Sequence, residues 1–374
     1  MTKKIRVVHI AQAPGGVACY IEMLLKHLDN NRYENILICS QDFDIDVFKP
    51  LVKHIDVVEM DRKITGHDMA VVWKMFKLLW RYRPDIIYCH SSKAGAVGRM
   101  AAIFAPGKVV YNAHGWAFNM KVHKRAQRFY LFAEQRLAPF CKRIVCISNF
   151  EGESALENHV VKNNKLRVIF NGVEIDEIRK NIKNTRITRE QFGIPEGVPV
   201  IGMVGRISEQ KGPKTFIRMA ERISRKIPDA HYMIVGDGDS RQEIESMINK
   251  IGLQNSVHIT GWVSNPNDYM ALFDVGVLMS RWEGFGLVLC EYMAAGIPLV
   301  STRTDAIPDL IEDGVNGLLV DIDDDHGAAS AVLRILDDET LRSKLIENGT
   351  RIVEERFSID RVAREHETLF EEML

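Results

Sequence analysis

Residues 275–301 read VGVLMSRWEGFGLVLCEYMAAGIPLVS. The run 275–279 is short, β-branched and apolar on both faces, as in a strand buried inside a parallel sheet. Gly284 and Gly286 then break the chain and leave backbone amides open at the start of a helix, which continues to Gly296. A second apolar run, 298–301, follows immediately. Parallel strands need a crossover, and a helix supplies it here, so the segment is one strand–helix–strand unit.

The same alternation extends in both directions. Apolar runs at 5–11, 35–40, 54–58, 85–90, 109–113, 143–147 and 166–170 are separated by helical patterns such as 17–28, 69–82 and 94–104. The rhythm breaks at about 171–197, where Asn171-Gly172 makes a turn and a polar stretch leads to Gly193-Ile194-Pro195-Glu196-Gly197. It restarts with runs at 198–204, 231–235, 257–260, 275–279, 298–301 and 317–320. The expected fold is α/β, with two doubly wound, Rossmann-like domains facing across a cleft. The expected boundaries are a first domain at 1–175, a linker at 176–197 and a second domain at 198–359. A last helix at 360–374 is free to pack back on the first domain.

Length and composition agree. A chain of 374 residues spans two domains, and 46% hydrophobic with 26% charged residues argues against disorder. No apolar run reaches the roughly 18 residues needed to cross a bilayer. The basic start Met1-Thr2-Lys3-Lys4 precedes an apolar run that breaks at Gln12 and Pro14, which reads as a first strand and not a signal peptide. Six scattered cysteines without a C-x-x-C pair support neither a disulfide scaffold nor a zinc site, and point to a reducing, cytoplasmic setting. The net charge of -1 conceals an asymmetry: residues 1–170 hold 26 Lys+Arg and 15 Asp+Glu, while 171–374 hold 23 and 35. The two halves are therefore expected to meet different partners.

Three local patterns carry chemistry. Pro14-Gly15-Gly16-Val17 joins the first strand to a helix, where free amides and the helix dipole suit a phosphate; an ordinary tight turn explains it equally well. Gly205-Arg206, at the end of a strand, and Lys211-Gly212 put two cations at the sheet edge where open α/β folds bind ligands, an arrangement suited to a diphosphate. The plainer alternative is a solvated basic loop. Glu283 precedes the helix opened by Gly284, Phe285, Gly286 and Leu287, and Glu291 lies on its second turn, about 7.5 Å beyond Gly286 at ~1.5 Å per residue. Two carboxylates flanking open amides can grip hydroxyls at opposite ends of a polar ligand. The alternative is a cap at Glu283 and a salt-bridged Glu291, although a carboxylate among Leu287, Val288, Leu289 and Met293 is costly without a partner.

Taken in order, Gly15-Gly16, Asn171-Gly172-Val173, Gly205-Arg206 with Lys211-Gly212, Val235-Gly236-Asp237-Gly238 and the E-x7-E pair Glu283 and Glu291 resemble family 4 glycosyltransferases of the GT-B fold. The resemblance spans nearly the whole chain. It implies a retaining, metal-independent transfer from a nucleotide sugar, with no cofactor beyond that co-substrate. By position, Arg206 and Lys211 would hold the donor diphosphate, with Gly16 facing the same phosphates. Glu291 would bind the ribose hydroxyls, Glu283 the hydroxyls of the transferred sugar, and the backbone near Val263 the base. Gly284, Phe285, Gly286 and Leu287 would line the donor site. His114, in Asn112-Ala113-His114-Gly115-Trp116, resembles the family's active-site histidine.

A competing motif is Asp42-Phe43-Asp44, a D-x-D of the kind that binds metal in the other common glycosyltransferase fold; short acidic runs are mostly solvated loops, and Arg206 and Lys211 already supply the charge. On the acceptor side, Ser91, Ser92 and Lys93 follow a strand and open a helix, forming a candidate second site for an anion or a sugar. With residues 112–118 they resemble the branch that builds capsular, exopolysaccharide or O-antigen repeats on a polyprenyl diphosphate. Residues 121–143 hold seven Lys+Arg and one acid, with Val122, Ala126, Phe129, Ala133, Leu137 and Phe140 at helical spacing. This suits an anionic membrane surface at the inner face of the cell membrane. A surface helix packing its stripe on the domain fits the pattern equally. A UDP-linked N-acetylhexosamine is the donor the resemblance suggests. A sugar-nucleotide 2-epimerase of the same fold and a non-catalytic sugar-nucleotide or lipid-binding protein are the other readings. Nucleic acid is not expected as a partner, because no stacking-aromatic motif accompanies the basic half.

Overall fold

The computed structural model describes residues 3–61, 68–120 and 123–374. The chain forms two compact units, one of Met1–Asn171 with Ile359–Leu374 and one of Gly172–Ser358.

The first unit is built on a parallel seven-stranded sheet: β1 (Ile5–Ala11), β2 (Tyr33–Cys39), β3 (His54–Val57), β4 (Ile86–His90), β5 (Lys108–Asn112), β6 (Arg143–Cys146) and β7 (Leu166–Val168), in the order β3-β2-β1-β4-β5-β6-β7. β4 is buried throughout and β1 from Val7 to Ala11, which is why they read as largely apolar runs. The order reverses between β1 and β4, the switch point where such sheets bind ligands. In register, Ala11 lies beside His90 and His90 beside Asn112, so the loops after β1, β4 and β5 leave the sheet side by side.

Two helical attachments shape this unit. Helix Ile359–Met373 lays Val362, Ala363, Leu369, Phe370 and Met373 against the same core as Val7, Tyr20 and Tyr88. Its acids bind the first unit's cations, with Glu372 on Arg167 at 3.0 Å and Glu371 on Arg32. Helix Lys124–Leu137 is tied inward by Glu134, which accepts from the Tyr111 hydroxyl at 2.8 Å and pairs with the buried Arg99 at 2.8 Å. Its inward side carries Tyr130 and Leu131 together with Glu134, while Phe129, Phe132 and the following Phe140 are exposed. The stripe read from 126 to 140 is therefore not the packed face. Lys121 and Val122 lie outside the described residues. The C-terminal helix also moderates the charge asymmetry, because with it the first unit holds 28 Lys+Arg and 20 Asp+Glu, against 21 and 30 in the second.

The second unit holds a parallel six-stranded sheet: β8 (Val200–Val204), β9 (His231–Val235), β10 (Val257–Ile259), β11 (Val275–Leu278), β12 (Leu299–Thr302) and β13 (Leu318–Val320), in the order β10-β9-β8-β11-β12-β13. Its switch point lies between β8 and β11. The stretch 176–197, read as a linker, is structured and belongs to this unit. Helix Ile175–Asn184 buries Ile178 and sends Arg179 to Glu354 at 2.7 Å, and Arg189 meets Asp274 at 3.0 Å. Its charges have fixed partners there, which a polar composition does not reveal.

Candidate active site

In the second unit the candidate residues gather at the C-terminal edge of the sheet because the loops after β8, β9, β10 and β11 all leave on that side. Backbone packing there is tight enough to demand glycine. A Cβ on Gly236 would lie 2.2 Å from the Gly205 carbonyl oxygen, and one on Gly212 would lie 2.0 Å from that of Met279. Gly212 is left-handed at φ 61°, and Pro213 starts the next helix behind it. The Lys211 stem runs alongside Gly205.

Lys211 is ion-paired with Glu283, whose carboxylate also accepts from the Ser280 hydroxyl at 3.0 Å. The Glu283 amide donates to Asp305 at 2.8 Å, fixing the loop from behind. Gly286, at φ 90°, turns the chain into helix Leu287–Ala294, with Phe285 buried just before it. Glu291, half-buried on that helix, is pushed up to about 7 by removal from water, and Lys211 opposes the shift. Tyr292, next to it, accepts the Val204 amide at 3.0 Å and so pins the helix to the end of β8. Lys211, Glu283 and Glu291 thus form one electrostatic cluster. Arg206 is exposed and makes no ion pair among the described residues. Val263 follows the exposed Trp262, in a loop where Gly261 bridges back to Gly236. Ser280, Asp305 and Tyr292 support the cluster, and none of them stood out in the sequence, because each acts only through a neighbour distant in the chain.

In the first unit, Gly15 (φ 80°) and Gly16 are exposed with open space where side chains would be, which permits close approach by a ligand. His114 is held at φ 53°, a left-handed conformation uncommon for histidine, by its amide donating to the Asn112 side chain at 2.9 Å. Burial lowers its pKa to about 3, so it is a neutral imidazole. Ser91, also left-handed at φ 71°, precedes helix Ser92–Ala102, and its amide donates to Asn112 O at 2.9 Å. Lys93 is not an open cation. Its ammonium meets both Asp68 carboxylate oxygens, at 2.5 and 2.6 Å, and Ser91 is buried. Of the D-x-D, Asp44 caps a short helix through the Asp46 amide at 3.2 Å, and Asp46 pairs with Lys49 at 2.5 Å.

Two parallel-sheet units, the second carrying the Lys211–Glu283 pair and Glu291 at the C-terminal edge of its sheet, have the architecture of the GT-B fold. The comparisons agree. Residues 184–352 match the family model for glycosyl transferases group 1, and residues 14–177 match glycosyltransferase family 4. The protein is a glycosyltransferase of this family. Among its relatives is the UDP-Gal:α-D-GlcNAc-diphosphoundecaprenol α-1,3-galactosyltransferase of Escherichia coli, 29% identical over 94% of both chains. The capsular polysaccharide biosynthesis glycosyltransferase CapM of Staphylococcus aureus is 26% identical over 85% of both. In fold, the chain is similar to Anabaena HepE, solved with UDP and glucose, at a TM-score of 0.82 and 22% identity over 98% of this chain and 99% of that one.

Proposed function

We propose that this glycosyltransferase moves a sugar from a nucleoside-diphosphate sugar to a saccharide carried on a polyprenyl diphosphate, in the assembly of a bacterial surface polysaccharide. The donor is a UDP-sugar, with an N-acetylhexosamine or related sugar transferred. The anomeric configuration is retained and no metal is required. The observation that carries the reading is the cluster of Lys211, Glu283 and Glu291 beside the exposed Arg206. As the bond from the anomeric carbon to the diphosphate breaks, negative charge builds on the leaving oxygens. Two positioned cations stabilise that charge without reorganising solvent. Glu291 takes the ribose hydroxyls and Glu283 the sugar hydroxyls, while the backbone from Gly284 to Leu287 and at Val263 completes the donor site. Gly16 and His114 serve the phosphates and the sugar, and the loop of Ser91 and Ser92 serves the acceptor.

The polyprenyl acceptor is supported by the E. coli relative, whose name specifies a diphosphoundecaprenol substrate. A membrane location is supported by helix Lys124–Leu137, where exposed Phe129 and Phe132 lie among Lys124, Arg125 and Arg128. No helix among the described residues is long and apolar enough to cross a membrane. Purified protein incubated with a panel of nucleotide sugars and a polyprenyl-diphosphate saccharide in anionic vesicles tests the whole reading. Transfer that survives chelator and gives a product with the donor's anomeric configuration is expected. A strict Mn²⁺ requirement, an inverted product, or an epimerised nucleotide sugar formed without acceptor each overturns it.

A further inference from the structure

Under the first unit's sheet edge, three side chains that donor and acceptor binding leave without a role run in a line to His114. Asn35 on β2, His9 on β1 and His90 on β4 are buried, and the line ends at the half-buried His114 just beyond β5. Asn35 Oδ1 lies 3.3 Å from His9 Nε2, His9 Nδ1 lies 3.2 Å from His90 Nε2, and His90 Nδ1 lies 3.0 Å from His114 Nε2. The three rings are nearly parallel, with interplanar angles of 13° and 22° between successive pairs. They line up because β2, β1, β4 and β5 are neighbours and each residue lies two positions beyond the register partner of the one before: Asn35 pairs with Val7, His9 with Tyr88 and His90 with Asn112.

Burial keeps all three imidazoles neutral, with His9 lowered to about 4, His90 well below its ordinary value and His114 to about 3. A neutral imidazole has one N–H and one bare nitrogen, so the tautomer of each ring dictates that of the next. Oriented with Oδ1 toward His9, Asn35 accepts, so His9 carries its proton on Nε2. His9 Nδ1 is then bare and accepts from His90 Nε2–H, and His90 Nδ1 in turn accepts from His114 Nε2–H. We propose that Asn35, His9 and His90 form a relay that sets the tautomer of His114 and presents its Nδ1 as a hydrogen-bond acceptor to a substrate hydroxyl. The three are positioning residues that act through His114.

The neighbouring polar groups are engaged with one another. Tyr20 packs edge-on against His114, with ring centroids 4.6 Å apart. The Tyr20 and Tyr88 hydroxyls both face His366 Nε2, at 3.1 and 2.9 Å, while His366 Nδ1–H donates to Val362 O at 2.7 Å. Asn112 holds the His114 backbone. An acceptor at this point selects a ligand that offers an O–H there. The choice of a sugar hydroxyl rests on the proposed function, whereas the tautomer does not.

The test uses the full chain labelled with ¹⁵N-histidine, read by long-range ¹H–¹⁵N correlation near neutral pH without substrate. His9, His90 and His114, identified by single variants, are expected as Nε2–H tautomers. Asn35→Asp, whose carboxylate can only accept, keeps the pattern. Asn35→Leu removes the terminal acceptor and gives mixed tautomers at His114. An Nδ1–H tautomer at His114 in the unaltered protein, or a His114 signal indifferent to Asn35→Leu, overturns the relay. In transfer assays Asn35→Leu and His90→Phe lower kcat/KM about tenfold, as for one misplaced hydrogen bond. Should Asn35→Leu fail to fold, His90→Gln decides, since its side-chain oxygen still accepts from His114 Nε2–H and recovers activity relative to His90→Phe. Equal activity of the Gln and Phe variants overturns the relay. The expected tautomers in a protein that binds no nucleotide sugar would overturn the proposed function and leave the relay standing.

Discussion

Glu283 holds the Lys211 ammonium, and the same ammonium opposes the desolvation of Glu291. The two carboxylates of the E-x7-E element are therefore not independent grips. They share one cation, and any ligand that draws Lys211 toward a phosphate changes the charge balance at both. This coupling separates the roles of the two cations, because Arg206 has no such partner among the described residues.

Substituting the cations should split activity from stability. Removing one transition-state charge contact costs about 10²–10³ in rate. Both Arg206→Ala and Lys211→Ala should show at least that loss in transfer assays. Thermal melts should distinguish them, because Arg206→Ala removes an exposed side chain, whereas Lys211→Ala strands the buried Glu283 carboxylate and lowers Tm. Near-full transfer by Arg206→Ala would remove it from the diphosphate site.

The Glu291 carboxyl gives a pH signature. With its folded pKa at about 7, above the ordinary 4.5, the folded protein binds the extra proton between those values. Stability from this group is then highest on the acid side and is lost as pH rises through about 7. Ribose hydroxyls donate to the ionised form, so donor binding should run the other way. Calorimetry should show affinity for a UDP-sugar falling up to about tenfold per unit below about pH 7, with proton release on binding. Glu291→Gln should flatten the profile, and an unchanged profile would separate Glu291 from the ribose.

The glycines divide by what a methyl group would meet. Gly212→Ala and Gly236→Ala drive Cβ into backbone carbonyls of neighbouring loops and should lower Tm markedly, with donor binding lost alongside. Gly16 has open space and an ordinary backbone, so Gly16→Ala should leave Tm unchanged. A drop in UDP-sugar affinity in that variant is the result expected if phosphates approach this turn. Unchanged affinity would return Gly15-Gly16 to an ordinary turn.

Three buried histidines and the half-buried His114 make the first unit acid-sensitive. His9, His90, His114 and His366 all have folded pKa values below the ordinary 6.5, chiefly because burial disfavours the charged form. Their contribution is intact above about pH 6.5 and is lost as pH falls toward their folded values. Circular dichroism melts should therefore show Tm declining below about pH 6.5, and His366→Gln should weaken that decline. A flat Tm down to pH 5 would contradict the burial-driven shifts.

Vesicle binding tests the basic helix. Lys124, Arg125 and Arg128 are exposed, as are Phe129 and Phe132, so replacing the three cations with Gln or the two rings with Ser should leave Tm nearly unchanged. Sedimentation with anionic vesicles should fall in both variants, and more at low salt for the charge variant. Equal sedimentation would leave the helix as a scaffold for Glu134.

The strand–turn–helix rhythm, the two-sheet fold and the family were determined by the sequence alone, because fully buried parallel strands must be apolar on both faces and switch-point turns must be glycine-rich. Gly205-Arg206, Lys211 and Glu283 through Glu291 could be read for the same reason, since each motif is complete within a few residues. Only the tertiary structure decided what depends on distant partners. It closed Lys93 onto Asp68 and turned Phe129 away from the core that holds Glu134. It drew the polar 176–197 stretch into the second unit and returned the acidic C-terminal helix to the first. It also aligned Asn35, His9, His90 and His114, which lie on four different strands or their ends and share no local pattern. Hydrogen bonds and ion pairs between residues tens to hundreds of positions apart leave no periodicity in a chain, so their geometry exists only once the sheet has placed them side by side.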